Sequence, residues 1–311
     1  MKIVFLDAAT IGNDMDLSAF DALGEVIKYE FSKPEEVPDR VKDADVLVVN
    51  KIEINESTIH TANKLRLVCV TATGINNLDK DYLEQKKIEW RNVAGYSTES
   101  VAQHTFAMFF YLFEKLHYYD EYVKKEKYVE DALLTHFGDS FHEMNHKTWG
   151  IIGFGAIGQR VADLAKAFGC HVIYYSTTGK NKQKDYEQVD FDTLLKESDV
   201  ISVHAPLTEQ TKNLMNKDAF AKMKKTAIFL NAGRGPIVVE KDLADALNQN
   251  QIAAAGLDVL VQEPMSKENP LRLIKDSKKL LITPHIAWAS IEARTRLLAI
   301  IVNQIKEFFE I

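Results

Sequence analysis

Cysteine is nearly absent from this chain: Cys69 and Cys170 are the only two in 311 residues. They stand far apart in sequence beside β-branched neighbours, which argues against a disulfide-stapled scaffold and predicts two buried free thiols, as expected of a reducing cytoplasm. Positive charge is also in short supply, with 38 Lys and Arg against 45 Asp and Glu and a formal net charge of -7. No basic face large enough to release phosphate counterions is evident, so no nucleic-acid partner is expected. The lysine clusters Lys124 to Lys127 and Lys180 to Lys184 are interleaved with acids or neutral polars and read as solvated surface. Long apolar runs are missing too. The opening stretch Met1 to Asp7 is too short for a secretory signal, and nothing later approaches the roughly 20 apolar residues of a membrane span. No membrane association is therefore expected.

What is present suits a two-domain α/β protein. Apolar residues make up 46% of the chain, and a length of 311 is about twice the usual domain size of about 150 residues. The most informative stretch is Trp149 to Gly158, W-G-I-I-G-F-G-A-I-G. A short apolar run leads into Gly153-x-Gly155-x-x-Gly158, and the helical pattern Val161, Leu164, Ala165, Phe168 follows. Such a strand, turn and helix cradle a dinucleotide. The first glycine permits the tight turn, the second lets backbone approach a pyrophosphate, the third allows close helix–strand packing, and the phosphates meet the helix N-terminus.

Strands and helices alternate on both sides of this stretch. Ile3 to Leu6, Val26 to Phe31, Val46 to Val49, Leu65 to Val70 and Ile88 to Val93 are β-rich. Helical stretches at Leu17 to Leu23, Pro34 to Val41, Ser57 to Asn63 and Asp79 to Gln85 separate most of them. This alternation predicts parallel sheets whose ligands sit beyond the strand carboxyl ends. Lys51 stands at one such end and the polar loop Thr71 to Asn77, with Thr73 and Gly74, at another; both are places for an anion to dock. From Ser97 the pattern becomes one long helix with Ser100 as its expected cap. Val101, Phe106, Phe109, Phe110, Leu112, Phe113 and Leu116 make it apolar on most sides, so it is expected to lie buried between the two domains. The segment Tyr118 to Phe141 has no obvious core face and reads as a projecting arm suited to a dimer contact.

His142-Glu143-Met144-Asn145-His146 matches the zinc motif H-E-x-x-H, which needs a helix to set both imidazoles on one face. Lys147 and Trp149 lead straight into a strand, leaving that helix no room, and no third ligand is near. No metal is expected. Further strands read at Val200 to Val203, Ala227 to Leu230, Ala253 to Leu257 and Leu280 to Ile282. The loops Asn231 to Pro236 and Thr283 to Trp288 follow two of them and open on the edge where a nicotinamide would lie.

N-A-G-R-G-P at 231 to 236, G-L-D-V at 256 to 259, Q-E-P at 262 to 264 and T-P-H-I-A at 283 to 287 all lie downstream of G-F-G-A-I-G, with H-A-P-L-T at 204 to 208 between. This ordered set resembles the D-isomer-specific 2-hydroxyacid dehydrogenases over nearly the whole chain. Within that family, A-T-G-I-N-N at 72 to 77, G-Y-S-T-E-S-V-A-Q-H-T at 95 to 105 and P-H-I-A-W-A at 284 to 289 are most similar to glycerate dehydrogenases, also called hydroxypyruvate reductases. The resemblance implies two doubly wound parallel-sheet domains, a Rossmann NAD(P) domain at 98 to 286 inserted into a flavodoxin-like substrate domain formed by 1 to 97 and 287 to 311. It also implies that the sequence lacks the C-terminal regulatory extension of the long phosphoglycerate dehydrogenases.

The implied chemistry is hydride transfer between a nicotinamide and a small 2-keto or D-2-hydroxy acid, hydroxypyruvate or glyoxylate being the expected substrates. Reduction needs a proton donor, a cation for the carboxylate, and a site holding the substrate against the ring. By resemblance His285 is the acid, Arg234 the cation, and Glu263 the residue that orients the imidazole and favours its protonated form. Asp258 corresponds to the residue that holds the carboxamide. Lys51 and the backbone of Thr73 and Gly74 correspond to the carboxylate cradle, and Trp288 to a wall of a small pocket. Further dinucleotide contacts are implied at Ala156, Ile157, Pro206, Thr211 and Ala232. Two other readings stay open: a larger branched 2-keto acid as substrate, and a dinucleotide-sensing binding protein of the same fold, as in corepressors that resemble these enzymes. One position departs from the NAD pattern. The acid expected at the end of the second strand is replaced by Ser176, followed by Thr177, Thr178, Gly179 and Lys180. Hydroxyls bond a ribose or a phosphate alike, Lys180 offers a point charge, and no arginine supplies a bidentate grip, so use of both NAD and NADP is expected.

Overall fold

The computed structural model describes residues 1–179 and 184–311. The chain divides into two units, Met1–Ser97 with Ala289–Ile311, and Thr98–Trp288. The second boundary falls two residues beyond the expected position at Ala287. The physical reason is that the loop before it is tied to its own unit: Ala287 N–H donates to the Asp258 carboxylate, and its carbonyl accepts from the Ser100 hydroxyl.

The first unit holds strands β1 Lys2–Phe5, β2 Glu25–Lys28, β3 Val46–Val49, β4 Leu67–Val70 and β5 Glu89–Arg91, all parallel, in the order β2-β1-β3-β4-β5. That is the flavodoxin-like order, and its switch point lies between β1 and β3. Both faces of the central strands are covered, so β3 and β4 read V-L-V-V and L-V-C-V and are buried at every residue. The helix Ile291–Phe309 belongs to this unit, capped by Ser290, and buries Leu297, Leu298, Ile301, Val302 and Ile305 at helical spacing. Arg294 paired with Asp14 and Arg296 bonded to the Tyr96 carbonyl fasten it.

The second unit holds β6 Thr148–Ile152, β7 His171–Tyr175, β8 Glu187–Gln188, β9 Val200–Val203, β10 Ile228–Asn231, β11 Ala254–Leu257 and β12 Leu280–Ile282. They pair in parallel in the order β12-β11-β10-β9-β6-β7-β8. This is the doubly wound dinucleotide-binding order with one strand added, and its switch point lies between β6 and β9. The long helix Thr98–Phe113 packs on the helix Ala156–Ala167 and on β10, β11 and β12. Phe106 stacks on the buried Trp149 with centroids 4.7 Å apart.

Two expectations about this helix are corrected. Its buried face, from Val101 to Leu112, lies on its own unit's sheet, and Gln103, Ala107 and Tyr111 form an exposed stripe at four-residue spacing. It is amphipathic and was not apolar all round. Ser100 sits inside the helix, which begins at Thr98, so it is not the cap. The helix Leu116–Lys124 that follows buries no residue.

Candidate active site

The functional loops of the second unit all leave the carboxyl edge of its sheet. After β6, Gly153 has φ of +88°, and a Cβ there would run into the backbone of Ala205. Gly155 is the N-cap of the helix Ala156–Ala167, no side chain caps it, and a Cβ there would meet nothing within 4 Å. Bare N–H groups at the end of a 12-residue helix, with room in front of them, fit a pyrophosphate. Ala156 and Ile157 form the first helical turn. Ser176 follows β7 and is buried, whereas Lys180 lies outside the described residues.

After β9, Pro206 is exposed, while Thr211 is 1% exposed and its hydroxyl donates to the Pro206 carbonyl and accepts from Thr208 N–H. Thr211 thus shapes the turn that carries Pro206. His204, just before this turn, has both ring nitrogens sealed from solvent although the residue as a whole is partly exposed, and burial pushes its pKa down to about 3. After β10, the Asn231 side chain folds the loop by accepting from Gly233 N–H and donating to the Arg234 carbonyl. Ala232 is half-buried, and Arg234 donates Nη1 to the Gly233 carbonyl at 2.8 Å.

Glu263 and His285 meet. Glu263 Oε2 lies 2.6 Å from His285 Nδ1, and its other oxygen accepts from Leu260 N–H at 2.8 Å. A carboxylate held this way fixes Nδ1 as the protonated nitrogen and leaves Nε2 to exchange a proton. His285 is itself left-handed, with φ of +56°, an unfavourable backbone for a histidine that its surroundings must maintain. Asp258, 2% exposed, maintains it. Its carbonyl accepts from His285 N–H, Oδ1 from Ile286 N–H and the Thr283 hydroxyl, and Oδ2 from Ala287 N–H. Trp288 closes this loop and is half-buried.

In the first unit, Lys51 is exposed at the end of β3, and Thr73 and Gly74 follow β4. The Thr73 hydroxyl donates to the Val93 carbonyl, and its own carbonyl accepts from Asn92 Nδ2. Sequence reasoning missed Asp7, which is buried just past β1 and accepts from the N–H groups of Asn50, Lys51 and Ile52. Burial raises its pKa, with those backbone bonds acting in the opposite direction. An aspartate ending an apolar strand was the available signal. His104 was missed as well. The H-E-x-x-H segment is loop and turn, not helix, and among the described residues no cluster of three or more His, Cys, Asp or Glu is placed to hold a metal.

A parallel sheet with a glycine turn at its switch point, and an acid–imidazole pair on the same edge, fit a nicotinamide-dependent oxidoreductase. Residues 106–287 match the model of the D-isomer specific 2-hydroxyacid dehydrogenase NAD binding domain. A hydroxypyruvate reductase of Blautia hydrogenotrophica is 38% identical, with 100% of this chain and 97% of the relative covered. A glycerate dehydrogenase of Methylorubrum extorquens is 32% identical, with 99% and 96% covered. Among solved structures, an acyclic imino acid reductase in complex with NADPH and D-Arg superposes with a TM-score of 0.87 at 29% identity, covering 100% of this chain and 97% of that one. The chain belongs to the D-isomer specific 2-hydroxyacid dehydrogenase family. It is an NAD(P)-dependent oxidoreductase acting on the CH–OH group of small 2-hydroxy acids.

Proposed function

We propose that this enzyme reduces hydroxypyruvate or glyoxylate to D-glycerate or glycolate, with His285 as proton donor. The observation that carries the proton-donor assignment is the 2.6 Å contact between Glu263 Oε2 and His285 Nδ1 on a loop clamped by Asp258, and the substrate reading is supported by similarity to a hydroxypyruvate reductase and a glycerate dehydrogenase. When bound, the dinucleotide supplies the hydride. His285 Nε2 gives its proton to the substrate oxygen, and Glu263 holds the ring and offsets its charge without taking the proton. Arg234 offsets the substrate carboxylate. Lys51, Thr73 and Gly74, at the carboxyl ends of β3 and β4, are proposed as further carboxylate contacts, and Gly153, Gly155, Ala156, Ile157, Gly158, Ser176, Pro206, Thr211, Ala232 and Asp258 as the cofactor's.

We also propose a homodimer formed through the segment Tyr118 to Phe141, supported by the exposure of Val129, Leu133, Leu134 and Phe137. A cytoplasmic setting is proposed from cysteine usage: Cys69 and Cys170 are free and buried, and burial pushes their pKa values up to about 12 and about 11.

Two measurements test the activity. His285→Ala should lower kcat by about 10²–10⁴-fold while NADH binding persists; near-normal turnover would remove His285 from the mechanism. A panel of hydroxypyruvate, glyoxylate, pyruvate and 2-ketoisocaproate should rank one of the first two highest in kcat/KM. A branched acid at the top would overturn the substrate assignment.

A further inference from the structure

The helix Thr98–Phe113 holds the loop of His285 at two points, one on each side of it. Ser100 and His104 are four residues apart and so share one face of the helix. Ser100 Oγ donates to the Ala287 carbonyl at 2.6 Å, two residues after His285. His104 Nε2 lies 3.0 Å from Thr283 Oγ1, two residues before it. The Thr283 hydroxyl has one proton and directs it to Asp258 Oδ1 at 2.7 Å. Its oxygen therefore accepts from His104, which fixes His104 as the Nε2–H tautomer. The same nitrogen stands 3.6 Å from Asp258 Oδ1, the atom that also accepts from Ile286 N–H at 2.9 Å.

From these contacts we infer that His104, with Ser100, is a positioning residue for the proton donor. His104 acts through Thr283 and Asp258, and it does not touch substrate. The chain His104 Nε2–H to Thr283 Oγ1 to Asp258 Oδ1 orients the carboxylate that collects the N–H groups of Ile286 and Ala287. That carboxylate keeps His285 at φ of +56° with Nδ1 on Glu263. An outer partner of this kind decides whether a catalytic ring sits in the productive geometry, and misplacement of such a ring by about 1 Å costs up to about a hundredfold in rate. The inference rests on the reading of His285 as proton donor.

The test compares His104→Leu, which keeps bulk but loses the donor, with His104→Gln, whose Nε2 can donate in the same place. Single-turnover oxidation of bound NADH by hydroxypyruvate reads the chemical step, and melting temperature and NADH affinity report integrity. His104→Leu should slow the step about ten- to a hundredfold with KM little changed. His104→Gln should return the rate to within a few-fold of the parent enzyme. Wild-type rates in His104→Leu would overturn the inference, and so would equal slowing in both variants with a lowered melting temperature, the signature of helix packing alone. Should His104→Leu not fold, Ser100→Ala, which removes a single oxygen from the other latch, should slow the step several-fold, and a wild-type rate there overturns the inference. His285→Ala run in parallel separates the two readings. If it stays active the proton-donor assignment has failed; if it is inactive while His104→Leu is normal, only the positioning role has.

Discussion

Asp7 and Asp258 each lie just past a strand, are almost wholly buried, and spend their carboxylates on backbone N–H groups of a loop leaving another strand of the same sheet. Burying a carboxylate is costly unless donors converge on it, and here the donors are the main chain of the loops carrying Lys51 and His285. Both residues therefore convert a burial penalty into loop geometry. Ser176 is a residue of another kind, placed where an NAD-specific site keeps an acid and bearing only a hydroxyl. A hydroxyl bonds a ribose or accepts the neighbourhood of a 2′-phosphate without repelling it. We expect NADH and NADPH to be used with efficiencies within about a thousandfold of each other, roughly 4 kcal/mol. Ser176→Asp should shift the ratio toward NADH by tenfold or more through repulsion of the phosphate. A larger starting ratio, or a variant whose ratio does not move, contradicts this account.

At the level of elements, legibility in the sequence followed how local the determining physics is. The glycine turn and the helix behind it, V-L-V-V at β3 and the alternation of strands with helices were readable because glycine geometry and burial on both faces act within a few residues. Glu187–Gln188 was not read as a strand, because two polar residues carry no pattern and its pairing comes from β7. Ser100 looked like a cap because the run of apolar residues begins after it; only the fold shows its hydroxyl turned to Ala287. Glu263 with His285 was read through family resemblance, whereas Asp7 and His104 depend on contacts across 43 and 179 positions that no spacing reveals. The arm is legible as an absence of core. Leu134 is 90% and Phe137 86% exposed, and the helix Leu116–Lys124 buries nothing. A specific, stable protein–protein interface buries about 800 Å² per partner, and the arm's exposed apolar side chains are proposed as part of one. The double substitution Leu134→Glu with Phe137→Glu should convert the proposed dimer to monomer in sedimentation at micromolar concentration. A parent enzyme that sediments as a monomer would refute the homodimer.

For the molecule as a whole, the buried titratable groups set how stability follows pH. His204 and Asp7 work in opposite senses. Burial holds His204 neutral, down to about 3 from the ordinary 6.5, so the folded state binds fewer protons there than the unfolded chain. Its contribution is complete above pH 6.5 and is lost as the pH falls toward 3. Asp7, with its pKa raised by burial, contributes below its ordinary 3.8 and loses that contribution as the pH rises through the raised value. The two can be separated by difference, since Asp7 titrates alike in the parent and in a His204 variant. In His204→Leu the buried ring nitrogens, which have no hydrogen-bond partner among the described residues, are replaced by an apolar side chain of similar bulk. Between pH 7 and pH 4.5 the parent should lose about 2–3 kcal/mol more unfolding free energy than the variant, the worth of about two pH units on one proton site. Urea unfolding of both proteins at the two pH values measures this. Parallel pH dependence in parent and variant would show that the His204 ring takes up its proton in the folded protein as readily as in the unfolded chain, and the acid sensitivity would then have to come from the carboxylates.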